Sequence, residues 1–422
     1  MTRVVITGYG AVTPLGNDAA TTWEGLTTGR SGVGMLTTFD TEGFPVKIGG
    51  QVKDFRLKDF VPRSVGLRHL SRPGEFGVAA AFEALRHAGV EPGTYDGEDI
   101  GIAMGASVGR PDLQWMLDIG HLRATTGQAD AFIPYAPTDT MAYSQNVPAA
   151  AMARMLDATG PMLGVSTACS GSAHAIGEAF RAIQQGDATV MVAGGYDSLT
   201  TWMDVLGFSL LGALTHDYND DPEHASRPFD AHRTGFVLGE GAVVFVLEEL
   251  DAALARGATI HAELLGYGTS LNAWRVTDSP PDGSGAIQAM ESAIEDSGLG
   301  TAGIDYVVAH GTSTHGNDQS ETVAIKKVFG DDAERLMVSS PKSMAGHLTS
   351  AGAALSMLAA VGAIENSIVP PTTNLDTPDK RLGLDYVPNT ARAAAVSGAL
   401  INAFAFGGTN VSLVVGGYEE ER

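Results

Sequence analysis

One cysteine occurs in 422 residues, and its neighbours suit a nucleophile. Cys169 lies in Gly164-Val165-Ser166-Thr167-Ala168-Cys169-Ser170-Gly171-Ser172-Ala173-His174, where a short strand runs through small residues into the amphipathic pattern Ala173–Gln185. That places the thiol at a helix N-terminus, whose free N–H groups and dipole favour the thiolate. Small neighbours permit a tight elbow that presents sulfur, as in hydrolases. The competing reading is a buried, inert cysteine.

A nucleophilic thiol needs partners. His310 follows the strand-like Tyr306–Ala309 and opens His310-Gly311-Thr312-Ser313-Thr314-His315-Gly316-Asn317-Asp318. His347 ends Ser340-Pro341-Lys342-Ser343-Met344-Ala345-Gly346-His347, just before an alanine-rich helix. Both terminate segments of the kind that present reactive groups from rigid scaffolds. His69, His87, His121, His216, His224, His232 and His261 read as surface or structural, as does His315 in the His310 loop, and His174 as packing on its helix. Asn402-Ala403-Phe404-Ala405-Phe406-Gly407-Gly408-Thr409-Asn410 forms a glycine-rich turn whose N–H groups can serve an oxyanion. Gly8-Tyr9-Gly10 imitates a dinucleotide fingerprint but lacks the third glycine at the required step.

Composition narrows the classes. With 44% hydrophobic and 18% charged residues, the chain can bury a large core. Its 49 acidic and 26 basic residues give a net charge of −23, which argues against nucleic acid as a partner. A single cysteine excludes an internal disulfide framework and a multi-cysteine zinc site, and suits a reducing compartment. No signal-peptide pattern opens the chain. The uncharged Leu348 to Ile364 stretch is too alanine- and serine-rich for a span and reads as a buried helix. A cytoplasmic protein with no membrane partner is expected.

The elements that must position these groups alternate along the chain. Strands are predicted at Val4–Thr7, Ile100–Met104, Leu163–Ser166, Thr189–Ala193, Ala242–Leu247, Ile260–Leu265, Tyr306–Ala309, Ala399–Ile401 and Val411–Val415. Helices are predicted at Phe76–Ala88, Ala150–Leu156, Ala173–Gln185, Ala286–Asp296, Glu321–Phe329 and Ala351–Ile364. The alternation indicates an α/β protein with helix-covered sheets, and the length indicates two subdomains. The boundary is placed in the charged Glu248–Arg256 segment, giving halves 1–255 and 256–422. No short-period repeat is evident, and the stretch around Pro134 and Pro137 reads as loop.

Taken in order, these segments resemble the condensing enzymes, specifically the elongating β-ketoacyl-[acyl carrier protein] synthases of type II fatty-acid and polyketide systems. The resemblance rests on Val5-Ile6-Thr7-Gly8-Tyr9-Gly10, Thr167-Ala168-Cys169, Ser226-Arg227-Pro228-Phe229-Asp230 and Gly235-Phe236-Val237-Leu238-Gly239-Glu240-Gly241. It continues through His310-Gly311-Thr312-Ser313-Thr314, Lys342 with Gly346-His347, and Phe406-Gly407-Gly408-Thr409-Asn410, so it spans essentially the whole chain. It implies a thiolase fold: two similar halves in a five-layered α-β-α-β-α arrangement, usually dimeric. The first half would carry Cys169 and the second the two histidines.

The resemblance also implies a decarboxylative Claisen condensation. Cys169 would take an acyl group from a thioester, and neutral His310 and His347 would stabilise the enolate formed as malonyl-[acyl carrier protein] loses carbon dioxide. The product would be a 3-oxoacyl-[acyl carrier protein] longer by two carbons. Backbone N–H groups of Cys169 and Phe406 would form the oxyanion hole, with Phe406 and Gly407 gating the pocket. Lys342 and Glu321 would form an ion pair beneath the site, with Asp318 beside them, and Thr312 and Thr314 would bind the pantetheine arm. No cofactor or metal would be bound directly, because the substrates ride on the phosphopantetheine of an acyl carrier protein. The partner subunit would be a second copy or a chain-length-factor-like paralogue.

Departures from the family pattern are Ala405 before the gating Phe406, Asn272 and Thr234 where aspartates are frequent, and Ser170-Gly171-Ser172 after the nucleophile. Basic residues for carrier docking are sparse, leaving Arg63, Arg68 and Arg72. These differences point to a specialised polyketide or polyene pathway. A thiolase would bring a second reactive cysteine, a chain-length factor would lack Cys169, and a cysteine hydrolase would need one histidine with an orienting Asn or Asp.

Overall fold

Apolar, β-branched runs build the ten strands of the main sheet in a computed structural model that describes residues 2–62, 69–107, 113–127, 141–142 and 144–420. The first half supplies β1 (Val4–Val12), β2 (Ile100–Gly105), β3 (Met162–Val165), β4 (Val190–Ser198) and β5 (Glu240–Glu249). The second supplies β6 (Ala262–Leu271), β7 (Tyr306–Val308), β8 (Met337–Ser339), β9 (Gly398–Phe404) and β10 (Thr409–Gly416). Their spatial orders are β3-β2-β4-β5-β1 and β8-β7-β9-β10-β6, the same topology twice. In each half the first three of these strands run parallel and the fourth is antiparallel to both neighbours. Three residue pairs, Val4 with Leu264 through Ile6 with Ala262, join the two sheets at one corner.

Six helices cover the sheets: α1 (Arg72–Ala88), α2 (Asn146–Leu156), α3 (Gly171–Gln185), α4 (Ser284–Ser297), α5 (His315–Phe329) and α6 (Gly352–Asn366). Helices α3 and α6 lie together between the sheets, within the largest apolar core. Helices α1 and α2 cover the outer face of the first sheet, and α4 and α5 that of the second. This is the expected α-β-α-β-α arrangement.

Close packing explains the glycine triplets. A Cβ on Gly10 would lie 2.2 Å from the Ala80 carbonyl oxygen of α1, and one on Gly268 would lie 2.2 Å from that of Ala289 on α4. Gly8-Tyr9-Gly10 and Gly266-Tyr267-Gly268 are thus equivalent packing positions in the two halves. They form a long-period repeat that a search for short periods misses.

Several elements extend beyond the sequence expectation. Strands β1, β4 and β6 are longer than predicted, and α5 begins at His315 rather than Glu321. Helices at Ala19–Thr28, Leu113–Thr126 and Trp202–Leu210 were not predicted. The Leu348 to Ile364 stretch lies in the buried interior, largely as α6, and among the described residues no helix is long and apolar enough to cross a membrane. The Pro134 and Pro137 stretch, Arg63 and Arg68 lie outside the described residues.

Candidate active site

The elbow begins where β3 leads into a 3-10 turn, Ala168–Ser170, that runs straight into α3. Ala168 holds a left-handed φ of 49°, which turns the chain sharply and presents the Cys169 side chain at the helix start. Gly105 at the end of β2 makes room, since a Cβ there would sit 2.2 Å from the Gly171 backbone. The sulfur lies deep in the fold yet faces a cavity, so Cys169 is only partly shielded.

Burial pushes the thiol up to about 11. The Lys342 ammonium pulls it down, Asp197 adds to the rise, and the Phe406 and Cys169 N–H groups donate toward the sulfur and lower it. The sequence expectation of a favoured thiolate is therefore corrected: loss of water outweighs the helix end, and the resting group is a thiol.

His310 follows β7, held by carboxylates from α5. Glu321 accepts the His310 and Gly311 N–H groups, both at 2.8 Å, and the Asn402 amide at 3.1 Å. Asp318 accepts the Thr312 N–H at 3.0 Å and the Phe229 N–H at 2.9 Å. Arg233, itself buried, lies 3.4 Å from Asp318 and 3.0 Å from Asp379. These contacts fix a turn that includes Ser313 at φ 67°.

His347 is clamped from the other side. Its N–H donates to the Val237 carbonyl at 2.7 Å, and its carbonyl accepts from the Gly239 N–H at 2.9 Å. The Gly235 to Gly241 segment is thus the rail on which His347 rests. The Thr349 N–H donates to Nδ1 of His347 at 3.2 Å, which puts the neutral ring's proton on Nε2. The two imidazole centroids are 5.4 Å apart and nearly perpendicular. Burial, reinforced by Lys342, holds both well below their ordinary value, so both are neutral at pH 7.

Cys169, His310, His347, Phe406, Thr312 and Thr314 line one cavity of about 310 Å³, walled by Leu199, Phe208, Phe236 and Phe404. The Thr312 and Thr314 hydroxyls lie 2.9 Å apart. Gly407 adopts φ 90° and donates its N–H to the Val276 carbonyl at 2.7 Å, while Gly408 (φ 83°) accepts the Asn272 N–H. The Phe406 loop is therefore pinned through backbone bonds, and Asn272 joins by its own side chain to Asn410 at 2.8 Å. Thr234 pairs with the Thr215 hydroxyl at 2.7 Å.

Lys342 is buried near Glu321, Asp318 and Cys169, and burial lowers it to about 8. The direct Lys342–Glu321 ion pair that the resemblance implies is not formed: the two attract through space, while the Glu321 oxygens are taken by backbone N–H groups and Asn402. Arg72 is paired with buried Glu240 at 2.6 Å and is not a free docking cation. His315 belongs to α5. His87 and His261 gather with Tyr9 and Glu365 in a separate cleft. Sequence reading missed Asp197, Thr349 and Arg233, whose partners are distant in the chain. The one local hint was Arg233, three residues past the Ser226 to Asp230 box.

Comparison with known proteins gives the family. The model of the beta-ketoacyl synthase N-terminal domain matches residues 1–253, and that of the C-terminal domain matches residues 261–376. A 3-oxoacyl-[acyl-carrier-protein] synthase 2 of Synechocystis sp. is 41% identical, over 99% of this chain and 98% of that protein. The protein of the same name in Vibrio harveyi is 39% identical over 98% of each chain. Among solved structures, the ishigamide ketosynthase/chain length factor has a TM-score of 0.88 and 34% identity, covering 99% of this chain and 100% of that one. A type II PKS acyl-carrier protein in complex with its ketosynthase bound to the hexaketide has a TM-score of 0.89 and 30% identity, with the same coverage. Two family models in tandem, near-complete relatives and a shared cavity of one thiol and two imidazoles make this chain a member of the beta-ketoacyl synthase family of condensing enzymes.

Proposed function

We propose that Cys169, His310 and His347 carry out a decarboxylative Claisen condensation on thioesters carried by the phosphopantetheine of an acyl carrier protein. The Cys169 sulfur attacks the acyl carbonyl, the acyl–sulfur bond of the donor breaks, and the thiol proton leaves with the released pantetheine sulfur. No net acid or base is consumed, which suits a nucleophile that rests as a thiol. The Phe406 and Cys169 N–H groups, already directed at the sulfur, stabilise the tetrahedral oxyanion.

Malonyl thioester binds next. Its carboxylate leaves as carbon dioxide, and the carbon–carbon bond electrons pass into a thioester enolate. Neutral imidazoles donate to that oxygen, with His347 offering Nε2–H. The enolate carbon attacks the acyl-enzyme, the carbon–sulfur bond to Cys169 breaks, and the thiolate takes up one proton from solvent, the proton that the overall condensation consumes. The product is a 3-oxoacyl thioester longer by two carbons. Thr312 and Thr314 hold the pantetheine arm, Phe406 and Gly407 gate the apolar pocket, and Lys342, Glu321 and Asp318 support the histidine loops.

The observation that carries this reading is the His347 tautomer: with Nδ1 occupied by a backbone donor, the ring supports an enolate and cannot take a proton from water through that nitrogen. Incubation with acyl- and malonyl-carrier proteins tests it. A two-carbon-longer 3-oxoacyl product is expected. Thioester hydrolysis alone, from folded enzyme, overturns the reading.

Residues 1–255 and 256–422 are proposed as the two structural halves, on the repeated strand order. A dimer is proposed through β3, an outer strand among the described residues whose Met162 and Leu163 are exposed there, since an apolar strand edge calls for a partner. The second subunit is a copy of this chain or a paralogue, separated by mass measurement after expression alone. A cytoplasmic setting is proposed because the nucleophilic thiol must stay reduced.

A further inference from the structure

The geometry points to Asp197 as a positioning residue that holds the Thr349–Ser350 turn and thereby sets the hydrogen-bonding form of His347. The inference rests on the role proposed for His347.

Asp197 ends β4 in the first half and is buried. Its Oδ2 accepts three donors: the Ser107 hydroxyl at 2.7 Å, the Thr349 hydroxyl at 2.5 Å and the Ser350 N–H at 3.0 Å. Its Oδ1 accepts the Ser198 N–H at 3.0 Å. Two of the three Oδ2 donors come from the second half, two and three residues after His347.

Those two bonds act at a strained point. Thr349 adopts φ 48°, a conformation that a β-branched residue avoids. Such strain persists only where the surroundings over-determine it. The Asp197 carboxylate binds Thr349 through its side chain and Ser350 through its backbone, so it fixes the direction of the intervening peptide. The N–H on the other side of Thr349 is the one that donates to Nδ1 of His347.

The repeated topology sharpens the point. Ala168, before the nucleophile, has φ 49°, and Thr349 has φ 48°. Each opens a 3-10 turn followed by a glycine-led central helix. Ser350 is thus the second-half counterpart of Cys169, and its hydroxyl donates to the Ala168 carbonyl at 3.0 Å. The nucleophile elbow and the His347 turn are two copies of one motif, tied back to back, with Asp197 bonded to the copy that lacks the thiol. Asp197 also raises the Cys169 thiol through its charge, so its removal should affect the two groups oppositely.

The test separates the half-reactions. Decarboxylation of a malonyl thioester is measured in a Cys169→Ala background, alkylation by iodoacetamide in the Cys169 enzyme, and the His347 tautomer by its ¹⁵N shifts, assigned with His347→Gln. Asp197→Asn should slow decarboxylation roughly ten- to hundredfold, speed alkylation at pH 8, and weaken the Nδ1-acceptor signature of His347. Asp197→Glu should restore most of the decarboxylation. If Asp197→Asn does not fold, Thr349→Ala serves, with slowed decarboxylation and unchanged alkylation. Unchanged decarboxylation in a folded variant, or a parallel fall in both half-reactions, overturns the inference. If the unmodified enzyme shows Nδ1 protonated on His347, the proposed role of His347 fails as well. A normal tautomer with an indifferent Asp197 sinks only the positioning role.

Discussion

Glu321 reaches back from α5 to accept the His310 N–H at 2.8 Å, while its other oxygen accepts the neighbouring Gly311 N–H at the same distance. A carboxylate is the only common side chain that offers both N–H groups an acceptor at once. Glu321→Gln turns an NH₂ toward one donor, which should cost about 1–3 kcal/mol of stability and slow decarboxylation. Urea unfolding and carbon dioxide release measure the two effects, and unchanged values for both would contradict the clamp.

Both imidazoles are held below their ordinary pKa by burial and Lys342. Decarboxylation should therefore stay level as pH falls through about 6.5 and decline only at more acidic pH. Stability follows the same sense: the unfolded chain takes up these protons first, so acidification below about 6.5 favours unfolding. A pH–rate profile with an acid limb at or above 6.5 would show that one ring is charged at rest.

Lys342 pulls the Cys169 thiol down from the value that burial alone would impose. Lys342→Met should slow iodoacetamide alkylation below about pH 8, where the ammonium is charged, because less thiolate is then present. The same change should move the acid limb of decarboxylation upward, as the histidines lose a nearby positive charge. Opposite movement of either quantity would remove Lys342 from the electrostatic account.

Arg233 is buried between Asp318 and Asp379. Arg233→Met leaves buried Asp318 without its cation, while Asp379 keeps Arg381 at 2.6 Å, and should cost about 3–5 kcal/mol. Thermal unfolding tests this, and a loss below about 1 kcal/mol would mean that water or other donors replace the guanidinium.

Gly407 needs its φ of 90°, although open space surrounds the position of a Cβ. Gly407→Ala should therefore strain the backbone by roughly 1–2 kcal/mol without a clash, shifting the Phe406 N–H. Acyl transfer to Cys169 should slow while decarboxylation in the Cys169→Ala background is retained. Equal loss in both would place the effect elsewhere.

Much of the site was legible because its chemistry is local. Cys169 stands out by its elbow, His310 and His347 by their glycine-bounded turns, and apolar periodicity locates most strands and helices to within a few residues. Other features depended on contacts between remote segments. Cys169 sits at a helix start that favours thiolate, but the desolvation that reverses the balance comes from a cavity assembled by both halves. Lys342 and Glu321 attract through space, yet the backbone N–H groups of the His310 turn take the carboxylate oxygens, so the expected ion pair does not form. Asp197 lies 152 residues before Thr349, and no spacing rule links them. Short-range forces, namely side-chain shape, backbone preference and apolar period, are written along the chain and determined which groups could react. Dehydration, charge coupling and the tautomer of His347 depend on distances through space, so only the folded arrangement of two repeated halves decided them.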